Sequence, residues 1–120
     1  MTTAKHVLIV DDDAAVRAFV SEALTAAGFV VEQAEDGLLA LDLATAGNFD
    51  IIVLDLHMPK MDGRSFLDRY LRLEGKHAQV IPCSAQEADD LTIKQPWACR
   101  TLLKPFGLNE LYAAVAQCLA

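Results

Sequence analysis

Short apolar runs alternate along the chain with segments in which apolar residues recur every three or four positions. Ile51–Leu54 is an uninterrupted aliphatic run, which is typical of a strand buried on both faces of a parallel sheet. After Asp11–Asp13, apolar residues recur at helical spacing and indicate one apolar helix face that ends near Gly28. The predicted strands are Val7–Val10, Val30–Ala34, Ile51–Leu54, Val80–Ser84 and Thr101–Leu103. The other predicted helices are Leu38–Ala46, Ser65–Leu73, a weak one within Gln86–Gln95, and Leu108–Leu119.

This alternation determines the expected fold class. Five strand–helix pairs in succession imply an α/β domain in which parallel strands are joined by right-handed crossovers, with helices on both faces of the sheet. Pro82 departs from the pattern because a proline cannot donate to the ladder of a central strand, so we expect a bulge or a missing hydrogen bond there. Ligands of such open sheets bind beyond the carboxyl ends of the strands.

Length and composition narrow the classes of function. A chain of 120 residues with 53% apolar residues is sized for one domain with one core. The net charge of −7 argues against binding to a nucleic-acid backbone, which needs clustered Lys and Arg. No apolar run is long enough for a signal peptide or a membrane helix, so we expect a soluble, cytoplasmic protein without membrane insertion. The three cysteines lack metal-ligand spacing, and Cys83 and Cys99, which fall inside apolar stretches, are predicted to be small buried hydrophobic residues.

Polar residues stand where the predicted strands end. Asp11 and Asp12 follow the first strand, Asp55 follows the third, Ser84 ends the fourth and Lys104 follows the fifth. Each has an ordinary explanation on its own, since Asp is a preferred N-cap residue and lysines are commonly solvated. Together, three carboxylates at one edge repel one another unless a cation or protons neutralise them, and hard oxygen ligands suit Mg²⁺. A lysine and a hydroxyl add donors for phosphoryl oxygens, so the set predicts a site for phosphoryl transfer.

Four short motifs occur in a fixed order along the chain. They are Val10-Asp11-Asp12; Leu54-Asp55-Leu56-His57-Met58-Pro59 with Met61-Asp62-Gly63; Ser84-Ala85; and Lys104-Pro105-Phe106. This series resembles the response-regulator receiver domains of two-component signalling, the CheY-like family, and the resemblance extends from Val7 to Leu119. It implies a doubly wound, flavodoxin-like sheet of five parallel strands in order 2-1-3-4-5 with five helices. Residues 1–120 would form a single receiver domain with no output domain.

The resemblance also assigns roles to the acidic residues. Asp55 would be the phosphoacceptor, whose carboxylate attacks a phosphohistidine or a small acyl phosphate. Asp12, Asp55 and the main-chain carbonyl of His57 would hold Mg²⁺ directly, and Asp11 would act mainly through water. A histidine at position 57 could also titrate near neutrality and make dephosphorylation depend on pH, although an exposed side chain with no role is the simpler alternative.

The remaining roles concern phosphoryl oxygens and backbone geometry. Lys104 would pair with Asp55 and later with the phosphoryl oxygens, and the Ser84 hydroxyl and the amides of His57 and Ala85 would bind the other oxygens. Two further residues are expected to shape the backbone. These are Pro105, after a cis peptide bond, and Gly63, in a conformation that a Cβ would penalise.

The implied protein is a signalling switch and not a metabolic enzyme, because it would catalyse only its own phosphorylation and dephosphorylation. Its partners would be a histidine kinase or a histidine phosphotransfer protein and an unknown downstream protein, with no direct contact to nucleic acid. Thr101 occupies the position where this family usually has an aromatic switch residue, so the usual route of signal output cannot operate in its common form. Pro96 predicts a short or distorted helix between Ser84 and Lys104, because it lacks an N–H and restricts Gln95, and Trp97 beside it is expected to pack in the core or to anchor a partner.

Two other functions fit parts of the pattern. A haloacid-dehalogenase-like phosphatase would use Asp11 as its nucleophile and Asp13 as its acid–base, but the chain is short for that fold and lacks the later acidic pair. A pseudo-receiver would keep the fold only as an interaction surface, and it is disfavoured because every phosphorylation residue is present.

Overall fold

The computed structural model describes residues 4–58, 60–85 and 98–120 of the chain. The strands are β1 (His6–Val10), β2 (Val30–Ala34), β3 (Ile51–Asp55), β4 (Gln79–Ser84) and β5 (Leu102–Leu103). The helices are α1 (Ala14–Ala26), α2 (Gly37–Ala46), α3 (Gly63–Tyr70) and α4 (Leu108–Leu119). The predicted helix within Gln86–Gln95, together with Pro59, Pro96 and Trp97, lies outside the described residues.

The strands form one parallel sheet in the order β2-β1-β3-β4-β5. This confirms the predicted doubly wound α/β class and the strand order that the resemblance implied. The crossover between consecutive strands is a helix wherever the chain is described, as parallel pairing requires. Among the described residues, no helix combines the length and the apolar character needed to cross a bilayer.

Successive side chains of each strand point to opposite faces of the sheet, and both faces are buried, each in its own apolar cluster. Leu8 and Val10 of β1 join a cluster with Phe66 and Tyr70 of α3, whereas Val7 alternates with them and packs on the other face. The aliphatic run of β3 divides in the same way, with Ile52 and Leu54 in the first cluster and Ile51 and Val53 in the second. The uninterrupted apolar runs of the sequence are therefore explained by two-sided burial.

Pro82 stands in the middle of β4, paired with Leu54 of β3. On its other side, Val80 faces Ala98 and Cys83 faces Leu102, so three steps along β4 match four steps along the facing segment. The extra residue lies in the facing segment and not in β4, which stays in regular register with β3, so the irregularity expected at Pro82 appears in its neighbour.

Aspartate side chains begin three of the helices. Asp13, Asp36 and Asp62 accept hydrogen bonds from Ala15 N, Leu39 N and Ser65 N at the starts of α1, α2 and α3. Because Asp62 is the N-cap, α3 begins at Gly63, two residues before the predicted Ser65. The helix ends at Tyr70 instead of Leu73.

The cysteines differ from the prediction. Cys83 is a buried residue of β4, as expected. Cys99 and Cys118, however, are half-buried and joined as a disulfide, with their Cα atoms 5.2 Å apart. The pairing could not be read from residue spacing, because it depends on α4 packing beside the segment that leads into β5.

Candidate functional site

Three carboxylates meet at the carboxyl end of the sheet. Val10 and Leu54 are paired neighbours on β1 and β3, and the chain continues from them into Asp11 and Asp55. Asp12 follows on the exposed side, and ligand oxygens of Asp11, Asp12 and Asp55 all lie within 4.8 Å of one another. Parallel pairing of adjacent strands therefore brings together residues that are 44 positions apart in sequence.

Lys104 provides the cation that faces this group. Its Nζ lies 2.7 Å from Asp11 Oδ2 and 3.3 Å from Asp55 Oδ2, and only 20% of its side chain is exposed. The two aspartates are 3% exposed. The lysine is thus shared by both buried carboxylates, and its shorter contact is with Asp11, whereas the resemblance assigned it to Asp55. Three carboxylates and one ammonium leave two negative charges, which matches a divalent cation.

Backbone hydrogen bonds fix the position of Asp11. Its amide donates to Ala34 O at 3.1 Å, and its carboxylate Oδ1 accepts from Asp13 N at 2.9 Å. The guanidinium of Arg17 donates to the main-chain carbonyl of Asp11 at 2.7 Å. The sequence did not identify Arg17 as a residue that positions Asp11, because nothing in the local sequence of an arginine in the first turn of a helix indicates this contact.

The loop after β3 packs closely against Asp55. His57 N donates to Asp55 Oδ1 at 3.1 Å, and Gly63 N donates to Leu56 O at 3.2 Å. A Cβ on Gly63 would lie 2.8 Å from the Leu56 Cα and would also meet the Asp55 carbonyl oxygen. Gly63 is required here by close packing of backbone on backbone, and not by the left-handed backbone conformation that glycine favours.

The ends of β4 and β5 complete the edge. Ser84 is fully buried and Ala85 is exposed, and Lys104 N donates to Ser84 O at 2.8 Å. The Lys104–Pro105 peptide bond is cis, as the resemblance implied. This arrangement brings Ser84 and Lys104 to the edge of the sheet that carries Asp55. Thr101 is half-buried and lies just before β5.

The environment of the site raises the pKa values of both Asp55 and Lys104. The pKa of Asp55 is raised from 3.8 to about 6, because burial and the nearby Asp11 charge raise it by more than the His57 amide and Lys104 lower it. Burial lowers the pKa of Lys104, but the hydrogen bonds and charges of Asp11 and Asp55 outweigh that effect and raise it above its usual value. The lysine therefore stays charged, and the Asp55 carboxylate is the group whose ionisation is costly.

Asp13 has a different environment from its neighbours. Its carboxylate accepts from Ala15 N at 2.9 Å as the N-cap of α1, and it is exposed. A carboxylate engaged in this way is poorly placed to act as the acid–base partner of Asp11, as the dehalogenase-like alternative requires.

Comparisons with known proteins agree with this geometry. Residues 7–116 match the model of the response regulator receiver domain. The chain is 36% identical over 115 residues to the probable transcriptional regulatory protein SilR of Salmonella typhimurium, covering 94% of this chain and 50% of that protein. It is also 36% identical over 116 residues to the response regulator MprA of Mycobacterium sp. (strain KMS), covering 95% of this chain and 50% of that protein. The chain thus spans about half the length of these curated relatives.

Solved structures extend the agreement to three dimensions. The chemotaxis response regulator CheY4 of Vibrio cholerae superposes with a TM-score of 0.83 at 30% identity, covering 97% of this chain and 99% of that one. The response regulator TrrA of Thermotoga maritima, solved in complex with Mg²⁺ and BeF, gives a TM-score of 0.82 at 29% identity, covering 95% and 98%. This chain is a member of the response regulator receiver domain family of two-component signalling.

Proposed function

We propose that residues 1–120 act as one phosphoaccepting receiver unit in which Asp55 takes the phosphoryl group. The observation that carries the proposal is the shared lysine: Lys104 lies within 3.3 Å of Asp55 and 2.7 Å of Asp11 at the carboxyl end of the sheet. An ammonium already beside Asp55 can contact the oxygens of an incoming phosphoryl group without rearrangement of the backbone. Both carboxylates accept one backbone hydrogen bond and contact the lysine, but the lysine lies closer to Asp11 than to Asp55, so the more loosely held Asp55 is the proposed acceptor.

The donor set fits a magnesium ion. Asp12, Asp55 and the main-chain carbonyl of His57 would hold the ion directly, with Asp11 acting through water. When bound, Mg²⁺ would neutralise carboxylate charge and the charge that develops on the phosphoryl oxygens. TrrA, with which this chain shares its fold, is described in complex with Mg²⁺ and BeF.

The chain's own groups account for the transfer. The Asp55 carboxylate attacks phosphorus as the bond from phosphorus to the donor nitrogen or acyl oxygen breaks, and the donor leaves with the electron pair of that bond. Lys104, the Ser84 hydroxyl and the amides of His57 and Ala85 would bind the three phosphoryl oxygens. Attack by water on the same phosphorus would later release phosphate, so the receiver would catalyse only its own phosphorylation and dephosphorylation.

The partners and location follow from this role. The phosphodonor would be a histidine kinase or a histidine phosphotransfer protein in the cytoplasm. An apolar surface beside the site could receive such a protein: Phe19 is 39% exposed and lies with its ring centroid 6.3 Å from that of Phe106. The signal would reach a downstream protein by a route other than the usual aromatic switch, since Thr101 occupies that position.

Incubation with acetyl phosphate, with and without Mg²⁺, tests the proposal. The intact mass should increase by one phosphoryl group only when Mg²⁺ is present, and Asp55→Asn should show no increase. Asp13→Asn is the matched control because asparagine caps a helix as well as aspartate does, and it should be phosphorylated like the wild type. Unchanged phosphorylation of Asp55→Asn would refute the assignment.

A further inference from the structure

The disulfide lies at the end of the sheet opposite the carboxylates. Cys99 follows Ala98, which pairs with Val80 near the start of β4, and Cys118 is in the last turn of α4. The strands are parallel, so a bridge near the start of β4 is remote from Asp55 at the end of β3. A Cα–Cα distance of 5.2 Å falls within the range of about 4.4–6.8 Å that ordinary disulfides adopt.

The surroundings of Cys99 can accommodate both the disulfide and the thiol. Its Sγ lies 3.6 Å from the Val80 carbonyl oxygen, which would accept a hydrogen bond from a thiol. The same carbonyl already accepts from Cys99 N at 3.2 Å, so the backbone position does not depend on the bridge. Reduction therefore leaves the Cys99 sulfur with a polar partner in an otherwise apolar cluster.

Exposure distinguishes this pair from the third cysteine. Cys99 and Cys118 are both half-buried, at the margin of the apolar cluster beneath α4, whereas Cys83 is 2% exposed. A small thiol or disulfide reagent can reach the pair without unfolding the chain. In compartments kept reduced by glutathione, disulfides that do form are usually transient and redox-sensing.

We propose that Cys99 and Cys118 form a reversible thiol–disulfide modification site, oxidised by a low-molecular-weight disulfide of the glutathione class. One cysteine thiolate attacks the glutathione disulfide and releases one glutathione thiolate, which leaves a mixed disulfide. The second thiolate attacks the cysteine sulfur of that mixed disulfide and releases the second glutathione. The protein loses two electrons and two protons, and one glutathione disulfide becomes two thiols.

The bridge closes a ring that contains β5, Lys104 and most of α4. It ties α4 to the segment that enters β5, so it constrains the unfolded chain and the packing of that edge of the domain. The phosphorylation residues lie at the other end of the sheet. Oxidation should therefore change the stability of the β5–α4 unit without changing the chemistry at Asp55.

Equilibration of the full chain in buffers of increasing glutathione disulfide-to-thiol ratio tests the site. Acid quenching and alkylation in denaturant should give three labelled cysteines in the reduced chain and one, Cys83, in the oxidised chain. The oxidised chain should have an unfolding equilibrium constant roughly a hundredfold smaller in guanidinium titrations, from closure of a loop of this size. Its rate of phosphorylation by acetyl phosphate should stay within about twofold of the reduced rate.

Three variants serve as controls. Cys99→Ser and Cys118→Ser should keep the reduced stability at every glutathione ratio, and Cys83→Ala should retain the full redox response. Three labels at all ratios, a persistent glutathione adduct, or a bridge that excess glutathione cannot reduce in the folded chain would each overturn the proposal. The wild-type titration decides the question even if a variant fails to fold, and its outcome does not depend on whether Asp55 is phosphorylated.

Discussion

The two ends of the parallel sheet both carry aspartates, but they use them in opposite ways. At the amino end, Asp50 Oδ2 accepts from His6 N at 2.8 Å, and Asp50 N donates to His6 O at 2.8 Å. At the carboxyl end, Asp11 and Asp55 are buried and share Lys104. The first end pairs one carboxylate with one donor and gains stability. The second retains uncompensated negative charge, which in the proposed function attracts a divalent cation and reacts with a phosphoryl group.

Replacing the shared lysine should have the largest effect. Lys104→Met removes the cation from both buried carboxylates and from the phosphoryl oxygens, so the rate of Asp55 phosphorylation should fall about a hundredfold, the usual loss for one preorganised charge-stabilising donor. Intact-mass time courses with acetyl phosphate measure this rate. Lys76→Met, at an exposed position near the amino end of β4, should stay within about twofold of the wild type. A loss of less than threefold in Lys104→Met would contradict the proposed role.

Neutralising Asp55 should stabilise the metal-free protein. The pKa of folded Asp55 is about 6, above its usual value of 3.8, so between about pH 4 and pH 6 the folded chain keeps a proton that the unfolded chain has released. Ionised Asp55 therefore costs stability at neutral pH, and Asp55→Asn should raise the free energy of unfolding by up to about 3 kcal/mol at pH 7.5. The gain should shrink as the pH falls through about 6 and vanish near pH 4. Urea titrations in EDTA at several pH values measure it, and a pH-independent difference would be inconsistent with the raised pKa.

The opposite sign is expected at the amino end. Asp50→Ala removes the acceptor of His6 N, and the free energy of unfolding should decrease by about 1.5 kcal/mol, the usual cost of losing a hydrogen bond to a charged group. Asp42→Ala, at an exposed position of α2, is the matched control and should change stability by less than about 0.5 kcal/mol. If Asp50→Ala were as stable as the wild type, the two ends of the sheet would not differ in the way described.

Replacing Arg17 should have the smallest effect of the four substitutions, a modest loss of affinity for Mg²⁺. Arg17→Met removes the guanidinium contact to Asp11 O, so the loop that carries Asp11 and Asp12 should be held less firmly. Affinity for Mg²⁺, measured by calorimetry, should fall about threefold to fivefold, in line with loss of one hydrogen bond of about 1 kcal/mol. Arg72→Met, on an exposed turn after α3, should bind Mg²⁺ like the wild type. Equal affinities of the Arg17 and Arg72 variants would show that Asp11 needs no such support.

The sequence predicted most of the sheet and the set of residues at its carboxyl end. Ile51–Leu54 was identifiable as a buried strand because its aliphatic run has no polar position, and Asp55 follows it directly. Parallel topology then sufficed to bring Asp11, Asp55 and Lys104 to one edge. Pro82 was recognisable as the site of an irregularity in strand pairing because its missing N–H is a local property of the residue.

What escaped prediction depends on contacts between elements. The closer approach of Lys104 to Asp11 than to Asp55, and the reach of Arg17 to Asp11 O, are set by side-chain geometry after folding. The Cys99–Cys118 pair depends on how α4 packs against the β5 segment, and this packing cannot be predicted from residue spacing. Gly63 was predicted to be required for its backbone conformation, which was the wrong cause. The actual cause is the close approach of the Leu56 backbone, which cannot be predicted from sequence.

Borohydride reduction of the phosphorylated protein, followed by peptide mapping, tests the central claim most directly. Hydride converts an aspartyl phosphate to homoserine and so marks the residue that carried the phosphoryl group. We predict homoserine at position 55 and at no other aspartate, and only after incubation with Mg²⁺ and acetyl phosphate. Homoserine at position 11, or none in a chain whose mass had increased by one phosphoryl group, would contradict the assignment of Asp55.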